Sequence, residues 1–216
     1  PLWSRGLGDV YKRQVNNKNL IGIVNSLLEG HVSIEQVWND YGTYIRSINN
    51  CNTYDEVMSL TCVYYRYGVY LANEGYYQKS LSYLEKSLTV LTDGIHLVSK
   101  ETYNNFYAEV LKYKSTVLYR LGKYRKSLEC LKILKTTFPE KDEFRIDYEN
   151  CFQALLNKSI NPLYLFVILF WAIYGIDHWL LDTNFLPSWT FNIGWYFWIV
   201  LVVIQFGFPW IKRFNK

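Results

Sequence analysis

An all-α chain is what this sequence predicts, a solenoid of helical hairpins followed by a two-helix transmembrane hairpin. Three observations carry the prediction. Proline is absent from Val15 to Phe138, and apolar residues there recur at three- and four-residue steps with little strand-like alternation. Two segments within that stretch resemble one another. From Pro162 to Ile211 there is no lysine or arginine, and the only acids are Asp177 and Asp182.

In chain order, the opening PLWSRGLGDVYKRQ has no apolar period and no apolar run after its charges, so it reads as neither a helix start nor a signal peptide. Ser4 to Gln14 resembles a translated sequencing-library adapter. Residues 1–14 are therefore expected to be an artefact or disordered, with the protein itself starting near Val15 inside a longer reading frame. The helical period then predicts helices at 18–29, 33–48, 54–74, 77–92, 98–121, 124–137 and 142–157. Gly30, Asn49-Asn50, Gly75, Asp93-Gly94, Gly122 and Pro139 separate them. Ser33 with Gln36, and Thr53 with Glu56, have capping-box spacing.

The two similar segments are YYRYGVYLANEGYYQKSLSYLEKSL, Tyr64 to Leu88, and LKYKSTVLYRLGKYRKSLECLKILKTTFP, Leu111 to Pro139. Gly75 aligns with Gly122, Tyr77 with Tyr124, Ser80 with Ser127 and Leu84 with Leu131. The pattern resembles the tetratricopeptide repeat family over about 61–139. Small residues at Gly68 and Ser115 admit a close helix partner, and a Gly-x-Tyr turn follows. Two departures stand out. Ser80 and Ser127 replace the usual alanine, and the copies lie 47 positions apart against roughly 34 in the standard repeat. The resemblance implies a groove lined by first helices, placing Cys62, Tyr65, Val69, Ala72 and Asn73 there from one copy. From the other it places Glu109, Lys112, Thr116, Tyr119 and Arg120. The partner-binding residues expected are Tyr65, Asn73, Glu109, Lys112, Tyr119 and Arg120, taking a protein or peptide. Carboxylate capture is not expected, because Thr116 and Tyr65 stand where clamp residues would.

The predicted domains are a repeat domain over 15–159, a transmembrane hairpin over 160–212 (spans about 162–181 and 189–210) and a basic tail, 213–216. Lys158 precedes the spans and Lys212, Arg213 and Lys216 follow them, while the connecting loop has no cation. The bias of cations toward the cytoplasmic side then puts the repeat domain and the C-terminus in the cytoplasm, at a bacterial inner membrane. Gly194 and Gly207 would allow close helix contact, and Gln205 an interhelical hydrogen bond.

Composition excludes more than it assigns. A net charge of +4 over 216 residues, with signs alternating along helix faces, is no nucleic-acid footprint. The 4 cysteines make no C-x-x-C pair and read as reduced, mostly buried thiols. No nucleophile elbow, phosphate loop or dinucleotide fingerprint is present. His31, His96 and His178 are scattered. No catalytic residue, metal ligand or cofactor follows. The expected function is a non-enzymatic, membrane-anchored interaction scaffold, with a protein partner and the lipid bilayer. Two alternatives stand beside it: a C-terminal fragment of a larger membrane-bound receptor, and a membrane enzyme or transporter subunit using Asp177 and His178.

Overall fold

The computed structural model describes residues 20–177 and 189–207, and among these every regular element is helical. The chain divides into two compact units, one ending at Tyr148 and the other starting at Glu149.

The first unit is built from hairpins: α1 (Leu20–Leu28) with α2 (Ile34–Ser47), α3 (Tyr54–Asn73) with α4 (Tyr77–Asp93), and α5 (Lys100–Arg120) with α6 (Tyr124–Thr137). The start of α7 (Asp142–Gly175) completes it. Each hairpin turns in the same way. Gly30, Gly75 and Gly122 sit at φ 78°, 82° and 68°, the left-handed region open to a residue without Cβ. At each, the glycine N–H and the next N–H reach back to two carbonyls of the last helical turn. At the α3–α4 turn these bonds are Gly75 N–H to the Ala72 carbonyl (3.0 Å) and Tyr76 N–H to the Leu71 carbonyl (2.8 Å). This double bond is the Schellman motif, which satisfies carbonyls the helix end leaves open. Gly75→Ala should cost about 1 kcal/mol, because alanine pays for the left-handed backbone while its Cβ would meet nothing within 4 Å. Chemical denaturation measures this, and Gly75→Asn should cost less.

The starts of the helices are equally local. Ser33 and Gln36 close the expected capping box on α2, each side chain accepting from the other's backbone N–H. At α3 only half the box forms. Thr53 accepts from the Glu56 N–H, whereas the Glu56 carboxylate accepts from the Asn52 N–H one residue earlier.

Neighbouring helices pack in order, α3 on α4, α4 on α5 and α5 on α6, while α1 and α2 pack on α3. The core between the first two hairpins holds Leu20, Ile23, Val24, Leu27, Val37, Trp38, Ile45, Leu60 and Val63. Close approach depends on small residues. Ser80 Oγ donates to the Gly68 carbonyl at 2.7 Å, and Ser127 Oγ to the Ser115 carbonyl at 2.8 Å. Ser87 Oγ donates to the Thr61 carbonyl at 2.9 Å. These serines are fully buried, so the substitution for alanine is no minor departure. A hydroxyl in place of a methyl hydrogen stitches the second helix of a hairpin to the backbone of the first.

In the second unit, α7 and α8 (Trp189–Val202, continued by a π-helical turn, Val203–Gly207) run antiparallel. Leu201 packs with Ile160 and Val167, Trp171 meets Trp195 at 5.1 Å and Tyr174 meets Phe191 at 5.4 Å between ring centroids. Gln205 Nε2 donates to Asn157 Oδ1 at 3.3 Å, the interhelical bond expected of Gln205. The Trp171 indole lies against Gly194, where a Cβ would overlap it.

One expectation is corrected here. The helices read separately as 142–157 and 162–181 are a single helix through Pro162. Proline is unfavourable in a helix interior by about 3 kcal/mol. The apolar face is nonetheless in phase across it: Leu156, Ile160, Tyr164, Val167 and Trp171 fall at steps of three and four and together form the core of this unit. A break would throw that face out of register. Only α7 is long and apolar enough to cross a membrane among the described residues, and the second apolar helix, Phe191–Gln205, is shorter. The two-span hairpin is therefore not established by length.

Candidate functional site

The first helices of successive hairpins, α3 and α5, run side by side with the start of α7, and their polar side chains join across the gaps. Tyr65 Oη donates to Glu109 Oε1 at 2.9 Å. Tyr113 Oη donates to Asn73 Oδ1 at 3.1 Å. Lys112 Nζ lies 2.6 Å from Glu143 Oε2 and 5.8 Å from the Phe144 ring centre. Tyr65 stands edge-on to Tyr113 at 6.1 Å and to Phe106 at 6.4 Å. Beside this lattice, Ala72, Asn73, Tyr77, Tyr113, Thr116 and Arg120 line a cavity of about 260 Å³.

The residues alternate by helix geometry. Phe106, Glu109, Tyr113, Thr116 and Arg120 fall at steps of three and four on α5, which puts them on one stripe. Tyr65 and Asn73 lie two turns apart on α3, facing them. Lys112 points to the other side of α5, toward α7. Tyr119 leaves the face altogether: its ring stands edge-on to Tyr124 of α6 at 5.1 Å. Cys62, also expected in the groove, is buried, while Ala72, though mostly buried, lines the cavity. The sequence reading missed Tyr113, the residue that touches both Tyr65 and Asn73. It followed motif positions; the three-four stripe through Glu109 was the signal that leads to it.

Burial raises the phenols of Tyr65 and Tyr113. Burial, then the hydrogen bond to Glu109, push Tyr65 well above the ordinary phenol range. Burial raises the thiols of Cys62 and Cys130, with Arg66 and Lys114 respectively opposing. A thiol held neutral is a poor nucleophile, and none of the four cysteines is in a disulfide. Hydrogen bonding from Lys112 holds Glu143 below the usual carboxylate range. The sign is that of a depressed acid: the pair contributes above the ordinary carboxylate pKa and is lost as pH falls through the folded value. Both side chains are substantially exposed, so solvent screens the contribution. Among the described residues no cluster of three or more His, Cys, Asp or Glu is placed to hold a metal ion.

A family model described as meiosis protein SPO22/ZIP4 like matches residues 45–148. The match starts near the end of α2 and stops where the first compact unit stops, covering just under half of the chain. Among curated proteins and among solved structures nothing matches.

The match corrects the tetratricopeptide assignment, and the geometry agrees with the correction. Gly30 to Gly75 is 45 positions and Gly75 to Gly122 is 47, so every hairpin, not one irregular copy, is longer than the roughly 34-residue repeat. Helices of 20 and 21 residues, α3 and α5, supply the difference. The expected bacterial origin gains no support either, since meiosis is a eukaryotic process. The adapter reading of residues 4–14 falls outside the described residues and outside the match, and is not supported. His178 and the basic tail, 213–216, also lie outside the described residues.

Proposed function

We propose that the first unit is a non-enzymatic protein-interaction scaffold whose partner docks across the face shared by α3, α5 and the start of α7. The observation that carries this reading is the lattice of Tyr65–Glu109, Tyr113–Asn73 and Lys112–Glu143 contacts beside an open cavity. Parallel first helices of a stacked array form an extended surface of this kind, suited to a peptide or helix. The match to a meiosis-protein family supports a protein partner. Asn73, Glu109 and Arg120, exposed on this face, are the polar contacts proposed, with Tyr65 and Tyr113 as aromatic anchors. Photo-crosslinking tests it. A benzophenone side chain at Thr116 or Asn73 of the full chain should give adducts with a protein partner in cells of origin, and one at Lys126 should not. Equal labelling from all three positions would remove the face.

The second unit is proposed to tether this scaffold to a bilayer, with the scaffold on the cytoplasmic side. Its large apolar side chains point outward: Phe166 is 67% and Tyr196 71% exposed, a cost in water that lipid removes. Gln205 meets Asn157 at one end of the antiparallel pair and Trp171 meets Trp195 toward the other, so both chain ends of the hairpin emerge together, as the cation bias requires. The chain should stay with membranes through alkaline extraction and leave them only with detergent. Release by alkali alone would end the tether reading.

A further inference from the structure

A second cavity, of about 630 Å³, opens among α2, α3 and α4. It lies on another side of α3: Tyr67 and Tyr70 line it, and Tyr67 is roughly 200° around the helix from Tyr65 at 100° per residue. Its wall is aromatic and already assembled. Trp38 stacks on Tyr67 at 4.0 Å with 11° between the rings, and Tyr83 stands edge-on to both at 4.9 Å. Gly42 makes room for the indole, whose atoms lie 3.3 Å and 3.4 Å from where a Cβ would be. The rim is cationic. Arg46, Lys79 and Lys86 line it, and each lies over a ring: Arg46 over Trp38 at 5.8 Å, Lys79 over Tyr76 at 5.3 Å, and Lys86 over Tyr83 at 5.4 Å. None of the three makes an ion pair among the described residues. Glu35 is the single acid of the lining.

We infer that this cavity is a docking site for an acidic segment of a partner protein. The segment pairs its carboxylates with Arg46, Lys79 and Lys86 and lays one aromatic or apolar side chain against Tyr67 and Tyr83. Charge complementarity sets the sign of the occupant. Ring geometry separates a peptide from a nucleic acid. Bases bind by stacking on open aromatic faces, whereas here the faces of Trp38 and Tyr67 cover each other. The tyrosines of the lining also bring phenol hydroxyls, donors that suit carboxylates. The volume is that of an ordinary small binding site, enough for a few side chains. The inference stands apart from the reading of the α3–α5 face, since it uses other residues and another side of α3.

The test is fluorescence anisotropy on the full chain in neutral detergent. The probe is a short fluorescein-labelled peptide of aspartate and glutamate around one phenylalanine. Saturable binding is expected, weakened about tenfold by Arg46→Glu with Lys86→Glu, which is about 1.4 kcal/mol, or about 0.7 kcal/mol from each of two exposed ion pairs. Lys126→Glu with Lys132→Glu changes net charge equally on α6 and should leave binding unchanged. Replacing the probe's phenylalanine with alanine should weaken binding too. If the Arg46/Lys86 double variant has a lowered thermal midpoint, Arg46→Gln with Lys86→Gln is compared with Lys126→Gln with Lys132→Gln, and the same ranking is expected. Absence of binding overturns the inference, as does equal weakening in both double variants. A single-stranded oligonucleotide of equal charge that binds more tightly than the peptide, with loss at the same residues, replaces it with a nucleic-acid site.

Discussion

Gly68→Leu is expected to destabilise the helical unit by about 3 kcal/mol, the upper part of the range for forcing side-chain atoms into a packed interior. A Cβ at position 68 would lie 3.0 Å from Cγ and Cδ2 of Leu84 and 3.4 Å from the Leu84 backbone nitrogen. Leu84 is fully buried, so its side chain has nowhere to move, and the backbone nitrogen belongs to α4. The Ser80 hydroxyl, 2.7 Å from the Gly68 carbonyl, holds the two helices at that separation. Alanine at the same place is a separate case. Its Cβ alone meets the Leu84 side chain, and the gain in helix propensity over glycine, about 1 kcal/mol, offsets part of that cost. Gly68→Ala should therefore cost less than Gly68→Leu. Chemical denaturation followed by far-ultraviolet circular dichroism compares them. In the double variant Gly68→Leu with Leu84→Ala the losses should add to less than their sum, because the second change opens the space the first requires. A Gly68→Leu chain as stable as the parent would mean that α3 and α4 do not meet at this distance.

Trp38→Ala should cost about 3–5 kcal/mol, as for other large aromatic truncations in cores. Trp38 is 9% exposed and touches both α3 and α4 from α2, through Tyr64, Tyr67 and Tyr83. Each well-placed ring pair adds about 0.5–1.5 kcal/mol beyond buried area. The loss should be local. In a stacked array each element is held by its neighbours, and α2 packs on α1 and α3. Amide hydrogen exchange should therefore accelerate in α2 and leave the centre of α5 and α6 protected. Uniform acceleration through all helices would show that the unit unfolds as one body instead. Trp38→Phe should keep part of the stacking on Tyr67 and lose less.

Much of the helical plan was legible because it is local. Three-and-four periodicity placed the helices of the first unit within a residue or two. Gly30, Gly75 and Gly122 marked turns that only a residue tolerant of positive φ fills at low cost, and Ser33 with Gln36 announced its own capping box. The proposed face was partly legible. Tyr65, Asn73, Glu109 and Arg120 do meet on one side of α3 and α5, because residues at those spacings share a helix face. Tyr113 was not read from the sequence, and Tyr119 turns toward Tyr124, since repeat positions were read from the motif, whereas a side chain's direction depends on its angle around the helix.

The sequence by itself determined what depends on neighbours in the chain: which segments coil, where they turn, and that residues 162–211 are largely apolar and without lysine or arginine. Tertiary structure decided the rest. It carried α7 through Pro162, because an apolar face in phase on both sides outweighs one missing amide. It turned Ser80 and Ser127 from tolerated small residues into hydroxyls that bond another helix's carbonyl. It gathered Trp38, Tyr67, Tyr83 and three cations from separate helices around one cavity. Distance in the chain carries no information about such meetings; they are set by how closely two backbones approach, which is fixed only when the helices pack.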